Sequence, residues 1–153
     1  MTEDRSHLAE VGRELIDSSR YMTLGTADEL GRPWVSPVWF AAAGYAEFLW
    51  VSSPDTRHSR NLAARPELSI VVFDSSVPPY TGQALYMEAT AAEVGEPGLE
   101  LAITAFASAS LADGAGSWAL DDVRPPARLR LYRANVSQHW VLGEGDERIA
   151  VEL

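Results

Sequence analysis

Between Glu47 and Asp74 the sequence reads EFLWVSSPDTRHSRNLAARPELSIVVFD, and its polar residues come in an order that suits the binding of an anion. Ser52, Ser53, Pro54, Asp55 and Thr56 supply hydroxyls and turn formers. Arg57, His58, Arg60 and Arg65 follow with no acidic residue among them. Arginine grips phosphate oxygens through paired N–H donors, and a hydroxyl just before a helix accepts from the helix's unpaired backbone N–H groups. The helix start also presents the positive end of its dipole. Hydroxyls, arginines and a helix start in one place make a socket for a phosphate group.

The elements that must hold this socket can be read on either side of it. Phe48-Leu49-Trp50-Val51 carries the aromatic and β-branched residues of a strand. Pro66 cannot continue the helix, and Leu68–Phe73 is an apolar run of strand length. Upstream, Ser6 is expected to cap a helix reaching Ser19, with Leu8, Val11, Leu15 and Ile16 on one face. Tyr21–Thr26 and Trp34–Ala42 read as strands joined by the turn-rich segment Asp28–Pro33, and Pro37 marks an edge or a bulge because it removes a ladder donor. Downstream, a loop over 74–82 leads to a long strand, Ala84–Val94. Pro97 fits the first turn of a helix reaching Ala109, closed by Asp113–Gly116. Arg128–Tyr132 alternates, which turns its leucines inward and its arginines outward. Ile149–Leu153 can add a last short strand. Strands outnumber helices and their connections are short, so the fold class is mainly β: a single domain over 1–153, a small antiparallel barrel with covering helices.

Composition removes many alternatives. A chain of 153 residues, 46% hydrophobic and 22% charged, has an ordinary globular composition. No apolar run is long enough to span a bilayer as a helix, and the polar, acidic start MTEDRSHLAE has neither a secretory nor a transit pattern; a cytoplasmic location is expected. A net charge of −10 opposes a nucleic-acid partner. With no cysteine, thiolate, disulfide and iron–sulfur chemistry are excluded. All 12 basic residues are arginine, so no lysine exists to form a Schiff base. His7, His58 and His139 are scattered, without metal-ligand spacing, so no metal site is expected. No G-x-S-x-G elbow occurs, and Gly143-Glu144-Gly145 is no dinucleotide fingerprint. Against the phosphate reading stands a simpler one, in which Arg57 and Arg60 are the wet face of a short helix; Arg128, Arg130 and Arg133 read most simply as the wet face of their strand.

Three stretches together resemble a known family: GRPWVSPVWF at 31–40, LWVSSPDTRHSRNLAARPELSIVVF at 49–73 and GQALYMEATAAEV at 82–94, with QHW at 138–140 in weaker support. By these the chain resembles the pyridoxamine 5′-phosphate oxidase-like, FMN-binding split-barrel family over roughly Tyr21 to Trp140. The resemblance implies an antiparallel split β-barrel that binds FMN at the interface of a homodimer. By position, Val51 and Ser52 match a strand-end pair that touches the flavin. Thr56, Arg57 and His58 match a Ser/Arg/Lys triplet that holds the phosphate. Gln83 matches a glutamine bonded near the isoalloxazine, Trp140 a tryptophan near the ring, and Ser36 to Ala41 a strand lining the cofactor.

Several positions depart from the family's oxidase. His58 stands where it has lysine, Ser36 where it has arginine, Ala41 where it has a substrate-contacting lysine, and VLGEGDERIAVEL has no counterpart of its substrate-binding Arg/His pair. The resemblance therefore implies a flavin-dependent oxidoreductase acting on an unknown small organic substrate, with no catalytic acid or base identified. Two alternatives stay open: a non-catalytic flavin-binding or redox-buffering protein, and a deazaflavin-dependent reductase on the same fold, because the deazaflavin-binding branch shares the SPVW run and the helix pattern.

Overall fold

The computed structural model describes residues 4–153. Helix α1 (Arg5–Ser18) starts two residues earlier than Ser6 would set it, because Asp4 is the cap and its carboxylate accepts from the Ser6 N–H at 3.0 Å. Its apolar stripe, Leu8, Ala9, Leu15 and Ile16, is buried in the main core. Gly12 lets the helix come close: a Cβ there would lie 3.0 Å from a methyl of Leu153.

The strands are β1 (Tyr21–Ala27), β2 (Pro33–Trp39), β3 (Ala41–Ala42), β4 (Glu47–Ser52), β5 (Glu67–Phe73), β6 (Ala84–Glu93), β7 (Arg130–Leu142) and β8 (Arg148–Val151). They form one curled antiparallel sheet in the order β2-β1-β5-β6-β7-β4-β3, with β8 beside the second half of β7. Pro37 does not interrupt its strand. It pairs opposite Thr23 in β2, which has no strand on its other side and so needs no proline N–H. The chain then passes at Phe40 from one sheet edge to the other, where β3 pairs with Leu49 and Phe48 of β4. Beyond Leu49 that edge of β4 carries no strand, and the curl leaves β2 and the end of β4 as the two lips of a split. The fold is thus mainly β, a curled antiparallel half-barrel with three helices.

Two cores explain why β4 and the start of β7 do not alternate. Phe48, Trp50 and Tyr132 point into the barrel, while Leu49, Leu131 and Ala41 point outward against α3 (Leu99–Ala112). A strand buried on both faces reads as a continuous apolar run. The expected leucine-in, arginine-out pattern at 128–132 is corrected accordingly: Tyr132 is as buried as Leu131, and Arg130 and Arg133 are ion-paired to Glu93 (3.2 Å) and Glu47 (2.8 Å). Helix α3 also starts later than the proline placed it, since Pro97 precedes the helix and Gly98 is its cap.

Candidate functional site

Helix α2 (Arg57–Ala64) forms where the turn and proline signals place it. The turn Ser53–Asp55 ends at Thr56, whose extended backbone (φ −64°, ψ 153°) and Oγ1 cap the helix by accepting from the Ser59 N–H at 3.3 Å. At the far end the Arg65 N–H returns to Asn61 O, and Pro66 stops the helix. Its inner face is pinned by Asn61, whose side-chain amide donates to Thr26 Oγ1 at 3.0 Å. No acidic residue occupies its first turn, so the helix itself does not offset the positive end of its dipole.

A run of hydroxyls crosses beneath this helix start. Thr56 Oγ1 lies 2.7 Å from Ser59 Oγ and 3.0 Å from Ser53 O, and its one proton serves these two acceptors. His58 Nε2 lies 2.9 Å from Ser52 Oγ and 3.3 Å from Thr56 Oγ1. The 2.9 Å contact ties Ser52 to the ring, and the ring's tautomer sets which of the two atoms donates. Burial pushes the His58 pKa below the ordinary imidazole value, so the ring is neutral at pH 7.

Two grooves lie on either side of the α2 start. One, of about 580 Å³, is charged: Arg57 and Arg60 of α2 face Asp28, Glu29 and Arg32 of the β1–β2 turn. There the exposed Arg57 guanidinium lies over the Trp34 ring, 4.4 Å from its centroid. The Asp28 carboxylate accepts from the Arg32 and Leu30 N–H groups, both at 2.9 Å, and these bonds hold its pKa below the usual range. The other groove, of about 460 Å³, lies in the split. Pro37, Val38 and Trp39 form one lip, Val51, Ser52 and His58 the other, and Phe106, Trp118 and Leu129 close the outer side.

The structure thus brings Val51, Ser52 and His58 to one groove, with Thr56 Oγ1 3.3 Å from His58 Nε2, and puts Arg57 on the neighbouring one. Gln83 and Trp140 are elsewhere. Exposed Gln83 lines a surface hollow beside His7 and Glu144. Trp140 pairs with Tyr86 and Ala150, and Val51 pairs with Leu131, nine residues away along β7. At roughly 3.3 Å per residue that separation is about 30 Å. Tyr21, Phe106 and Trp118 were not singled out as site residues. No local spacing marks them, since α3 and the segment after it reach the split only through tertiary packing. Among the described residues no group of three or more His, Asp or Glu is placed to hold a metal ion.

Comparison with known proteins adds to this geometry. The pyridoxamine 5′-phosphate oxidase family profile matches residues 8–140. A sequence search of curated proteins gives no match. Among solved structures, the heme binding protein from Mycobacterium smegmatis is similar, with a TM-score of 0.73 and 22% identity over 94% of this chain; the chain spans 57% of that protein's length. HutZ, a heme storage protein from Vibrio cholerae, gives 0.67 and 24% over 88% of this chain and 94% of its own. An FAD-binding protein from Mesorhizobium loti gives 0.66 and 17% over 87% and 92%. At these identities the likeness is one of fold.

Proposed function

The chain belongs to the pyridoxamine 5′-phosphate oxidase family, and on that footing we propose that it binds FMN as a homodimer and works as a flavin-dependent oxidoreductase on a small organic molecule. The observation that carries this reading is the pairing of grooves about one helix start. An arginine-bearing groove suits the phosphate, and a flat-walled uncharged groove suits the ring. Arg57, Arg60 and the α2 N-terminus would hold the phosphate, with Thr56 keeping the helix start in place. Ser52, held in place by its bond to His58, would hydrogen-bond the ring or the ribityl chain. The unpaired edge of β2 over Ser36–Trp39 offers backbone donors and acceptors beside it. A flavin supplies two-electron redox chemistry at its ring, and the protein supplies binding, orientation and exclusion of water.

Gln83 and Trp140 are too far from Ser52 to share its ligand within one chain, so their part in the site requires a second copy. The sheet offers a face for one. Thr23, Val71, Tyr86 and Trp140 stand in register on neighbouring strands, pointing away from the core, with exposed Tyr21, Val35 and Phe73 near them. An apolar sheet face of this kind is the surface a partner covers.

The test is a titration of the purified protein with FMN, with the deazaflavin coenzyme and with heme, the last because two of the similar structures are heme proteins. Saturable FMN binding that is tighter than that of either competitor supports the proposal. Preference for deazaflavin selects the reductase alternative, and heme alone overturns the flavin reading. Anaerobic mixing of the loaded protein with NADH or NADPH and then acceptors separates an oxidoreductase from a flavin-binding protein without turnover.

A further inference from the structure

The aromatic groove has a chemical character of its own. None of its lining residues is an arginine, aspartate or glutamate, in a chain that carries 12 basic and 22 acidic residues, and its one histidine is neutral. Its outer wall is stiff. Trp39 and Phe106 meet edge to face at 5.2 Å, Phe106 and Trp118 do the same at 5.7 Å, and the Trp39 indole N–H donates to Asp113 at 2.8 Å. Rings fixed in this way present a ready surface and lose little freedom when a flat ligand packs on them. Apart from Trp39 of β2, the wall comes from the segment between β6 and β7, anchored through a core of Leu99, Ile103, Phe106 and Val123. A charged group entering here would lose water with no opposite charge to meet it, which is costly. The arginines of α2 line the other groove.

We infer that the molecule taken into this groove beside the cofactor is an uncharged planar ring compound, and that Trp118 and Phe106 set that preference. The inference rests on the flavin reading above, and it names the substrate class of that site. Phosphorylated or carboxylated substrates are disfavoured by the same wall.

The test is a calorimetric titration of the FMN-loaded protein with 1,4-naphthoquinone and, separately, with its 2-sulfonate, which keeps the ring and adds one negative charge. The neutral compound is expected to bind at least about tenfold more tightly, the effect of leaving a charge without a partner. Trp118→Ala should remove most of the neutral compound's advantage, and Trp118→Phe, which keeps a flat ring, should restore it. Equal or tighter binding of the sulfonate overturns the inference, as does a Trp118→Ala protein that discriminates as well as the parent. The visible absorbance of the same samples reports flavin content and keeps the two readings apart. FMN bound without discrimination between the quinones sinks this inference alone, whereas a protein that takes up no FMN sinks the function proposed above and this inference with it.

Discussion

Arg57 and His58 are neighbours in sequence yet face different surroundings, and each carries its own prediction. Arg57 is exposed and held over Trp34, beside the α2 start. Arg57→Ala should weaken FMN binding by about 1.5–3 kcal/mol, the range for one hydrogen bond to a charged group; unchanged affinity in a titration would remove it from the site. His58 stands where a lysine would give the phosphate a fixed charge, but it is buried and turned toward Ser52. His139 is buried as well, its Nε2–H donating to Tyr45 O at 2.7 Å. Burial depresses both pKa values, more than the Tyr45 carbonyl restores for His139. Below the ordinary imidazole value of about 6.5 the unfolded chain therefore binds more protons than the folded one. Stability is full above that pH and falls as pH drops through it toward the folded-state values. Urea midpoints at pH 7.5 and 5.5 check this. The parent should lose stability on acidification, and His58→Gln should lose less; identical losses would mean that His58 does not titrate in that window.

Helix α2 is short, so its cap matters. Thr56→Ala should cost about 0.5–2 kcal/mol of stability in urea unfolding, while Thr56→Ser, which keeps the hydroxyl, should cost little. Equal effects would show that the Oγ1 bonds to Ser59 and Ser53 contribute nothing. This element was the part most legible in the sequence, because Ser53–Thr56 and Pro66 are local signals that mark a helix start and stop without reference to the rest of the chain. Strand Tyr21–Ala27 and the long β6 were legible as well, as extended runs bounded by turn residues. What stayed hidden was tertiary. Nothing at Phe48-Leu49-Trp50 tells that α3 covers the far face of β4. The cap at Asp4 and the late start of α3 turned on single residues that compete with equally good neighbours, Ser6 and Pro97. The aromatic groove was hidden too, since Trp39 meets Phe106 and Trp118 from a stretch far away in the sequence.

For the whole molecule, the proposal makes assembly and cofactor binding one event. Trp140 lies about 30 Å along β7 from the level of Val51, at roughly 3.3 Å per residue, so only a second copy can bring it to the groove. Trp140→Glu on the open sheet face should therefore yield a monomer in light scattering and lower flavin content in the same sample. A monomer that keeps full flavin would show the site to be complete in one chain. The acidic surface fits the arrangement: with a net charge of −10, an anion has few places to settle other than the arginines at the α2 start. The most direct measurement is the visible absorption spectrum of the freshly purified protein, before and after addition of FMN and removal of the excess. The account predicts the two-band flavin spectrum, retained through the removal and released on unfolding. A colourless protein that holds no added FMN, or one showing only a heme band, would contradict it.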